Sequence, residues 1–134
     1  ARLSAASASE VDALRDLLRI GLHWDVEVTD ARHEPRPVVS QAFCSALPVA
    51  YTGIPARHWR AFATLVLEGA YEATLWAAAL NAARGASNIV YLTRLGGGAF
   101  GNEPEWIGAA MQRALALARD VALDARVVSF GKGP

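Results

Sequence analysis

The sequence predicts an α/β fold: a mixed sheet covered by helices in a three-layer α/β/α arrangement. Segments with the helical period of apolar residues alternate with short β-rich runs, in the order α-β-β-α-β-α-β. Two of the runs, 38–49 and 88–95, are mostly apolar, which is typical of strands buried on both faces. The long segment 57–83 is apolar nearly all round, which predicts a largely buried helix packed on the sheet.

The first elements follow from local patterns. Apolar residues from Val11 to Leu18 recur at helical spacing, and Ser9 with Asp12 is a possible capping box, so residues 1–9 are expected to be a flexible lead-in and 10–134 the domain. The run "HWDVEVT" alternates apolar and polar residues, which predicts a half-buried strand. A short polar loop should return it antiparallel onto the next strand.

The later elements have clear stop and start signals. Gly85 should end the long helix, and Asn102, with Glu105 three positions on, should cap the next one, which is expected to run to about Asp120. Residues 124–130 complete the pattern as a last strand.

Composition limits the possible functions. The 134 residues are 53% hydrophobic and 19% charged, which is typical of one globular domain. Lys plus Arg and Asp plus Glu number 13 each, and this neutrality argues against a nucleic-acid-binding protein. The most apolar segment, 61–83, contains Glu68 and Glu72, so we expect no membrane contact. With Cys44 as the single cysteine, no internal disulfide is possible, and we expect a cytoplasmic location.

Four glycines in six positions mark the most informative stretch. The strand 88–95 reads directly into Gly96, Gly97 and Gly98, and Gly101 precedes a helix. Ligands of open α/β sheets sit beyond the carboxyl ends of the strands, and the amides of such a loop can point at one anion. The alternative is a tight turn that needs positive φ angles. The G-x-G-x-x-G spacing is a weak match to dinucleotide-binding folds, since no acidic residue ends the next strand.

The run "IVYLTRLGGGAFGNEPEWIGAAMQRAL" resembles the second ligand loop of macrodomains, where a strand enters a Gly-x-Gly-aliphatic-aromatic-Gly turn. Gly96, Gly98, Ala99, Phe100 and Gly101 match that pattern. The stretches "QAFCSALPVAY" and "LGGGAFGN" are most similar to a divergent branch that includes the MavL-like ADP-ribosylhydrolases, which act on ADP-ribosylated ubiquitin. The resemblance covers roughly residues 10–131 and corresponds to the later two-thirds of a macrodomain.

The resemblance implies an ADP-ribose-binding domain, and an ADP-ribosylhydrolase that removes ADP-ribose from a modified protein. Loop amides from Gly97 to Gly101 would hold the diphosphate, and Phe100 would flank the distal ribose. Phe130 would lie near the adenine, and Ser45 would line the neighbouring rim. The full set of ligand-binding residues would be Gly96, Gly97, Gly98, Ala99, Phe100, Gly101, Asn102, Ser45 and Phe130.

Two carboxylates are candidates for catalysis, Asp25 or Glu103, either of which could orient a water or the ribose. Each has a simpler interpretation: Asp25 as a solvated edge residue, and Glu103 as a favourable charge at a helix N-terminus. Cys44 is expected to be a buried, unreactive thiol. The three histidines have no metal-ligand spacing, so neither a metal nor a cofactor is expected.

Residues 1–35 match neither the early strands nor the first ligand loop of a macrodomain. We therefore expect that a preceding segment or a second copy of the chain completes the sheet, because a sheet without those strands would expose an open edge. Two other functions remain open at this stage. The domain could be a non-catalytic reader of ADP-ribose or nucleotides, or a structural fragment whose glycine loop only turns the chain.

Overall fold

The computed structural model of the protein describes residues 3–129. Three α-helices and four β-strands follow one another in the predicted order, and three short 3-10 turns lie at Leu3–Ala5, Val49–Tyr51 and Ala56–His58. The main elements are α1 (Ala8–Asp16), β1 (Gly21–Glu27), β2 (Val38–Phe43), α2 (Arg60–Ala83), β3 (Ile89–Thr93), α3 (Pro104–Leu117) and β4 (Asp124–Val128). The α/β class predicted from the sequence is therefore present.

Helix α1 begins earlier than predicted, within the expected lead-in. Ser7, not Ser9, is its N-cap residue: the Ser7 hydroxyl accepts from the Glu10 amide, and the Glu10 carboxylate accepts from the Ser7 amide. This reciprocal pair satisfies two donors that the helix end leaves free, which explains why the helix starts at Ala8. The Glu10 pKa is lowered, chiefly by the hydrogen bond from the Ser7 amide.

The predicted single sheet is not formed by the described residues. Strands β1 and β2 form an antiparallel pair, β3 and β4 form a parallel pair, and the two pairs are separate sheets. Hydrophobic periodicity identifies a strand but not the strand beside it, so the pattern could not show this division. Strand β2 also ends at Phe43, earlier than predicted, since the chain turns through Pro48 into the short 3-10 helix at Val49.

Helices α2 and α3 pack together beneath β3 and form the core. Along β3 the side chains alternate, so that Val90 and Leu92 are buried and their neighbours are exposed. The core joins apolar residues of both helices to this face: Ala63, Leu67, Tyr71 and Leu75 from α2, and Trp106, Ile107, Ala110, Met111 and Ala114 from α3.

Helix α1 is held against α2 by one close contact and one ion pair. A Cβ on Gly69 would lie 3.1 Å from the Leu18 Cβ, so the absent side chain lets Leu18 pack on α2. The Arg15 guanidinium donates to the Glu68 carboxylate through Nε at 3.0 Å and through a second nitrogen at 2.5 Å. Both side chains are largely buried, which strengthens this pair relative to a solvated one.

Strands β2 and β3 run in the same direction, both antiparallel to α2. In β2, the Ser40 hydroxyl bonds to Asn81 near the end of the helix, and the following Cys44 lies 3.9 Å from the Thr74 hydroxyl, nearer its middle. Just before β3, the Ser87 carbonyl accepts a hydrogen bond from the Asn81 side chain, and at the end of β3 the Thr93 carbonyl accepts one from the Tyr71 hydroxyl. The carboxyl ends of both strands therefore point toward the same end of the molecule.

None of the helices within residues 3–129 combines the length and hydrophobicity that crossing a membrane requires.

Candidate functional site

The glycine loop forms two linked turns directly after β3. The Gly97 amide donates to the Arg94 carbonyl at 3.1 Å, and the Gly101 amide donates to the Gly98 carbonyl at 3.0 Å. A bond of 3.0 Å from the Asn102 amide to the Gly96 carbonyl spans the whole loop and closes its base. The loop is thus an ordered structure with its two ends held together.

A buried tyrosine of α2 anchors the start of this loop. The Tyr71 hydroxyl donates to the Thr93 carbonyl at 2.7 Å and accepts from the Leu95 amide at 2.9 Å. The side chain is only 3% exposed, and this burial raises the pKa of its hydroxyl. The end of β3 is consequently fixed to the middle of α2.

Two of the four glycines are required by the fold itself. Gly96 and Gly101 have φ angles of 73° and 69°, in the left-handed region that favours glycine. A Cβ on Gly96 would lie 2.6 Å from the side-chain nitrogen of Asn102, and one on Gly101 would lie 2.7 Å from the Ala50 Cβ. These two positions are explained by a tight turn alone.

Gly98 is different, because the fold does not require a glycine there. Its φ angle is not positive, and a Cβ built on it meets nothing within 4 Å. The amides of Gly98, Ala99 and Phe100 also donate to no acceptor in residues 3–129. Three consecutive amides without an acceptor, beside an open glycine, form a surface to which an anion can bind closely.

Asn102 lies under the loop, where it is 3% exposed. Its side-chain nitrogen donates to the Leu47 carbonyl at 2.8 Å and to the Gly96 carbonyl at 3.4 Å. Its side-chain oxygen is buried and has no partner among the described residues. Such an acceptor needs a donor, which an ordered water or a ligand hydroxyl can supply.

The sequence assigned Asn102 a different role, that of N-cap for α3, and this was wrong. Glu103 is the N-cap residue by backbone conformation, and Pro104 opens the helix. The Glu103 side chain makes no capping bond and is exposed at the edge of the loop. An exposed carboxylate is therefore present three residues after the last of the three free amides.

The segment that follows β2 packs against the glycine loop. The Ala50 amide donates to the Phe100 carbonyl at 2.9 Å, and the Tyr51 and Phe100 rings meet edge to face with centroids 5.7 Å apart. Ser45 precedes Ala46, which contacts Gly96, and its hydroxyl bonds only to the adjacent Ala46 carbonyl. Ser45 and Phe100 therefore lie on the two sides of one rim.

Asp25, the other predicted catalytic carboxylate, is not brought to this rim. Both of its oxygens accept from the guanidinium of Arg84, just beyond the far end of α2, and this hydrogen bonding holds the Asp25 pKa below its usual value. The part of α2 between Tyr71, at the loop, and Arg84 is roughly 20 Å long at 1.5 Å per residue. The Arg84 guanidinium also lies 4.9 Å from the centre of the Trp24 ring.

The remaining candidates have simple environments. Burial raises the pKa of the Cys44 thiol, which leaves it protonated and unreactive at neutral pH. Within residues 3–129, no cluster of three or more histidine, cysteine or acidic side chains could hold a metal ion. Phe130, predicted to lie near an adenine, falls outside the described residues.

Sequence reasoning missed one contributor to the loop, Tyr71. A tyrosine inside a long apolar helix is consistent with simple packing, and only the three-dimensional path of β3 places its hydroxyl at the loop. Asn102 was included among the expected ligand-binding residues, but the sequence could not show that its side chain lies buried under the loop.

Comparisons of the chain with protein-family models, with curated proteins and with solved structures found no significant match.

Proposed function

We propose that this chain is a macrodomain-like domain whose glycine loop binds the diphosphate of ADP-ribose. The observation that carries the proposal is the set of three consecutive free amides, Gly98 to Phe100, beside a glycine that the fold does not require. Free amides in such a turn bind a phosphate oxygen through charge-assisted hydrogen bonds, and a side chain at Gly98 would obstruct the approach.

The surroundings of the loop are consistent with the rest of such a ligand. Phe100 and Tyr51 offer aromatic surface at the rim, and the buried oxygen of Asn102 lacks a donor. The N-terminus of α3 adds positive potential, although Glu103 and Glu105 offset part of it, so the phosphates belong on the loop amides upstream of the helix. These features are consistent with ADP-ribose binding at the glycine loop, which the resemblance of its motif to macrodomains implies.

Calorimetric titration of ADP-ribose into the chain tests the proposal. Gly98→Glu places a bulky negative charge on the free amides without a clash in the unliganded fold, since the added Cβ has open space. Gly53→Glu is the matched control: it adds the same charge at another exposed loop glycine whose Cβ would also meet nothing within 4 Å. We expect saturable binding that Gly98→Glu abolishes and Gly53→Glu preserves. Equal binding by both variants, or none by the folded parent chain, would contradict the proposal.

Hydrolysis of an ADP-ribosylated protein such as ubiquitin is a second candidate, and it depends on Glu103. Its carboxylate is exposed and follows the last free amide by three residues, and it could orient a water toward the anomeric carbon of the bound ribose. Water would then supply its hydroxyl group to that carbon as the bond to the protein breaks, and its other proton would pass to the departing protein group. The isosteric Glu103→Gln should keep ADP-ribose binding and lose release of ADP-ribose from the modified protein. A parent chain that binds ADP-ribose and releases none would identify a non-catalytic reader.

A further inference from the structure

A groove lies between the two sheets. It has a volume of about 870 Å³, and its floor is the part of α2 that carries Thr74, Ala77 and Ala78. Strand β2 forms one wall and strand β3 the other. The groove is therefore bounded by two strands that belong to different sheets.

Both walls are main-chain edges. Consecutive residues along Val38–Phe43 and along Ile89–Thr93 line the groove, whereas a sheet face would present only every second residue. Each strand has one edge already paired, β2 with β1 and β3 with β4. The two edges that face each other across the groove are thus the ones left without a strand partner within residues 3–129.

We propose that this groove binds an extended segment of a partner polypeptide, which inserts as a strand between β2 and β3 and joins the two sheets into one. Since β2 and β3 run in the same direction, one inserted strand can be parallel to both or antiparallel to both. The proposal concerns the groove and not the glycine loop, so it stands or falls independently of ADP-ribose binding.

The main-chain edges identify the occupant as polypeptide. Each edge presents a row of amide donors and carbonyl acceptors, and an extended chain offers matching rows on both of its own edges. A strand of about five residues would match the length of β3. A described strand from a second copy does not fit, because each of the four already uses one edge and the inserted strand needs both.

The side chains of the groove indicate the chemistry of the segment. The floor is made of small, mostly apolar residues, and the walls expose Val39 and Phe43. Asp25 is the one charged residue among those that line it, and Arg84 already neutralises it. The expected segment therefore has uncharged, apolar side chains at alternate positions, facing α2, and no charge at its centre.

Selection from a display library of seven-residue peptides provides a probe. The best binder is synthesised with a fluorescent label, and its affinity for the chain is measured by fluorescence anisotropy. Two further versions carry N-methyl groups on alternate amides, one version on the odd positions and one on the even positions. Each version disables hydrogen bonding along one edge of the peptide only, because successive amides of a strand point in opposite directions.

We expect both N-methylated versions to bind at least tenfold more weakly, since an inserted strand uses both edges. Binding should also be lost in Ala78→Arg, which fills the floor, and kept in Ala109→Arg, a matched change at an exposed position of α3. Circular dichroism of both variants is the control that each has kept its fold.

Three results would overturn the proposal. One is the recovery of no peptide from the library. Another is a peptide weakened by only one N-methylated version, which would indicate addition to an outer edge of β1 or β4. The third is a dimer of the chain that Ala78→Arg dissociates, which would assign the groove to a second copy.

Discussion

Strands β2 and β3 cross the same helix in the same direction, yet only one of them belongs to the core. In β3, Val90 and Leu92 are 9% and 2% exposed, because α2 and α3 together cover one face of the strand. In β2, every residue is exposed, including Val39 at 44% and Phe43 at 56%. Similar apolar sequences thus have different environments, and the difference is the presence of a second packing helix.

This contrast divides the described structure into a closed half, where helices cover β3, and an open half, where β2 stays exposed. The closed half carries the glycine loop, fixed by Tyr71 and Asn102. The open half carries the groove between β2 and β3, with unpaired edges and exposed apolar side chains. Exposed edges of this kind are found where another strand adds to a sheet, and they are a hazard when nothing covers them.

Truncation of a core residue in β3 should have the largest effect on stability. Leu92→Ala removes a side chain that is 2% exposed and leaves a cavity against α2 and α3. We expect a loss of about 2–5 kcal/mol in the free energy of unfolding, measured by urea denaturation. Val39→Ala in β2 is the matched change and should cost at most about 0.5 kcal/mol. Equal losses would show that the hairpin is as well packed as β3.

Removal of the Tyr71 hydroxyl should have the next largest effect. Tyr71→Phe removes the hydroxyl that bonds both the Thr93 carbonyl and the Leu95 amide, and it leaves that amide only its bond to the Thr93 carbonyl. We expect a loss of about 0.5–1.5 kcal/mol in unfolding free energy. Tyr51→Phe removes a hydroxyl from a side chain that is largely exposed and should leave the midpoint of urea denaturation unchanged. Amide hydrogen exchange should also quicken at Leu95 in the first variant alone.

Stability should fall at alkaline pH, because burial raises the pKa of both Tyr71 and Cys44. The folded protein holds these two protons more tightly than the unfolded chain. The associated stability is complete below the ordinary pKa values, about 8.5 for cysteine and about 10 for tyrosine, and decreases as pH rises above them. Denaturation midpoints measured from pH 7 to 11 should decline less steeply in Tyr71→Phe and in Cys44→Ala. Declines as steep in both variants as in the parent chain would show that ionisation of Tyr71 and Cys44 does not cause the loss of stability.

The smallest effect is expected in the hairpin. Asp25→Asn keeps a residue that tolerates the observed φ of 54° but removes the charge that Arg84 pairs with. Because this pair is solvent-exposed, we expect no measurable change in the denaturation midpoint. Hydrogen exchange should quicken at hairpin amides near Ser40, and ADP-ribose affinity should be unaltered. A loss of that affinity would place Asp25 at the ligand site after all.

The sequence predicted the elements better than their assembly. Helix α2 was expected over 57–83 and is observed at Arg60–Ala83, since its length and continuous apolar pattern leave few alternatives. The division into two sheets was not predictable, because pairing depends on which edges meet in space. Ser7 and not Ser9 caps α1 for a local reason. Ser7 and Glu10 each bond to the backbone amide of the other, which completes the capping box.

The candidate site was predicted in part. The sequence located the glycine loop at a strand end, but it could not distinguish Gly96, which the fold requires, from Gly98, which it does not. That distinction depends on φ angles and on neighbours such as Ala46, which comes from another segment of the chain. The separation of Asp25 from the loop likewise depends on where β1 meets α2.

The most direct test of the glycine loop as a diphosphate site is an NMR titration of the ¹⁵N-labelled chain with ADP-ribose. The account predicts that the amide signals of Gly98, Ala99 and Phe100 move most, since their donors are free. The amides of Gly97 and Gly101 should move less, because each is already bonded within the loop. Shifts confined to other parts of the chain, or no shifts at saturating ADP-ribose, would contradict the assignment of this loop as the binding site.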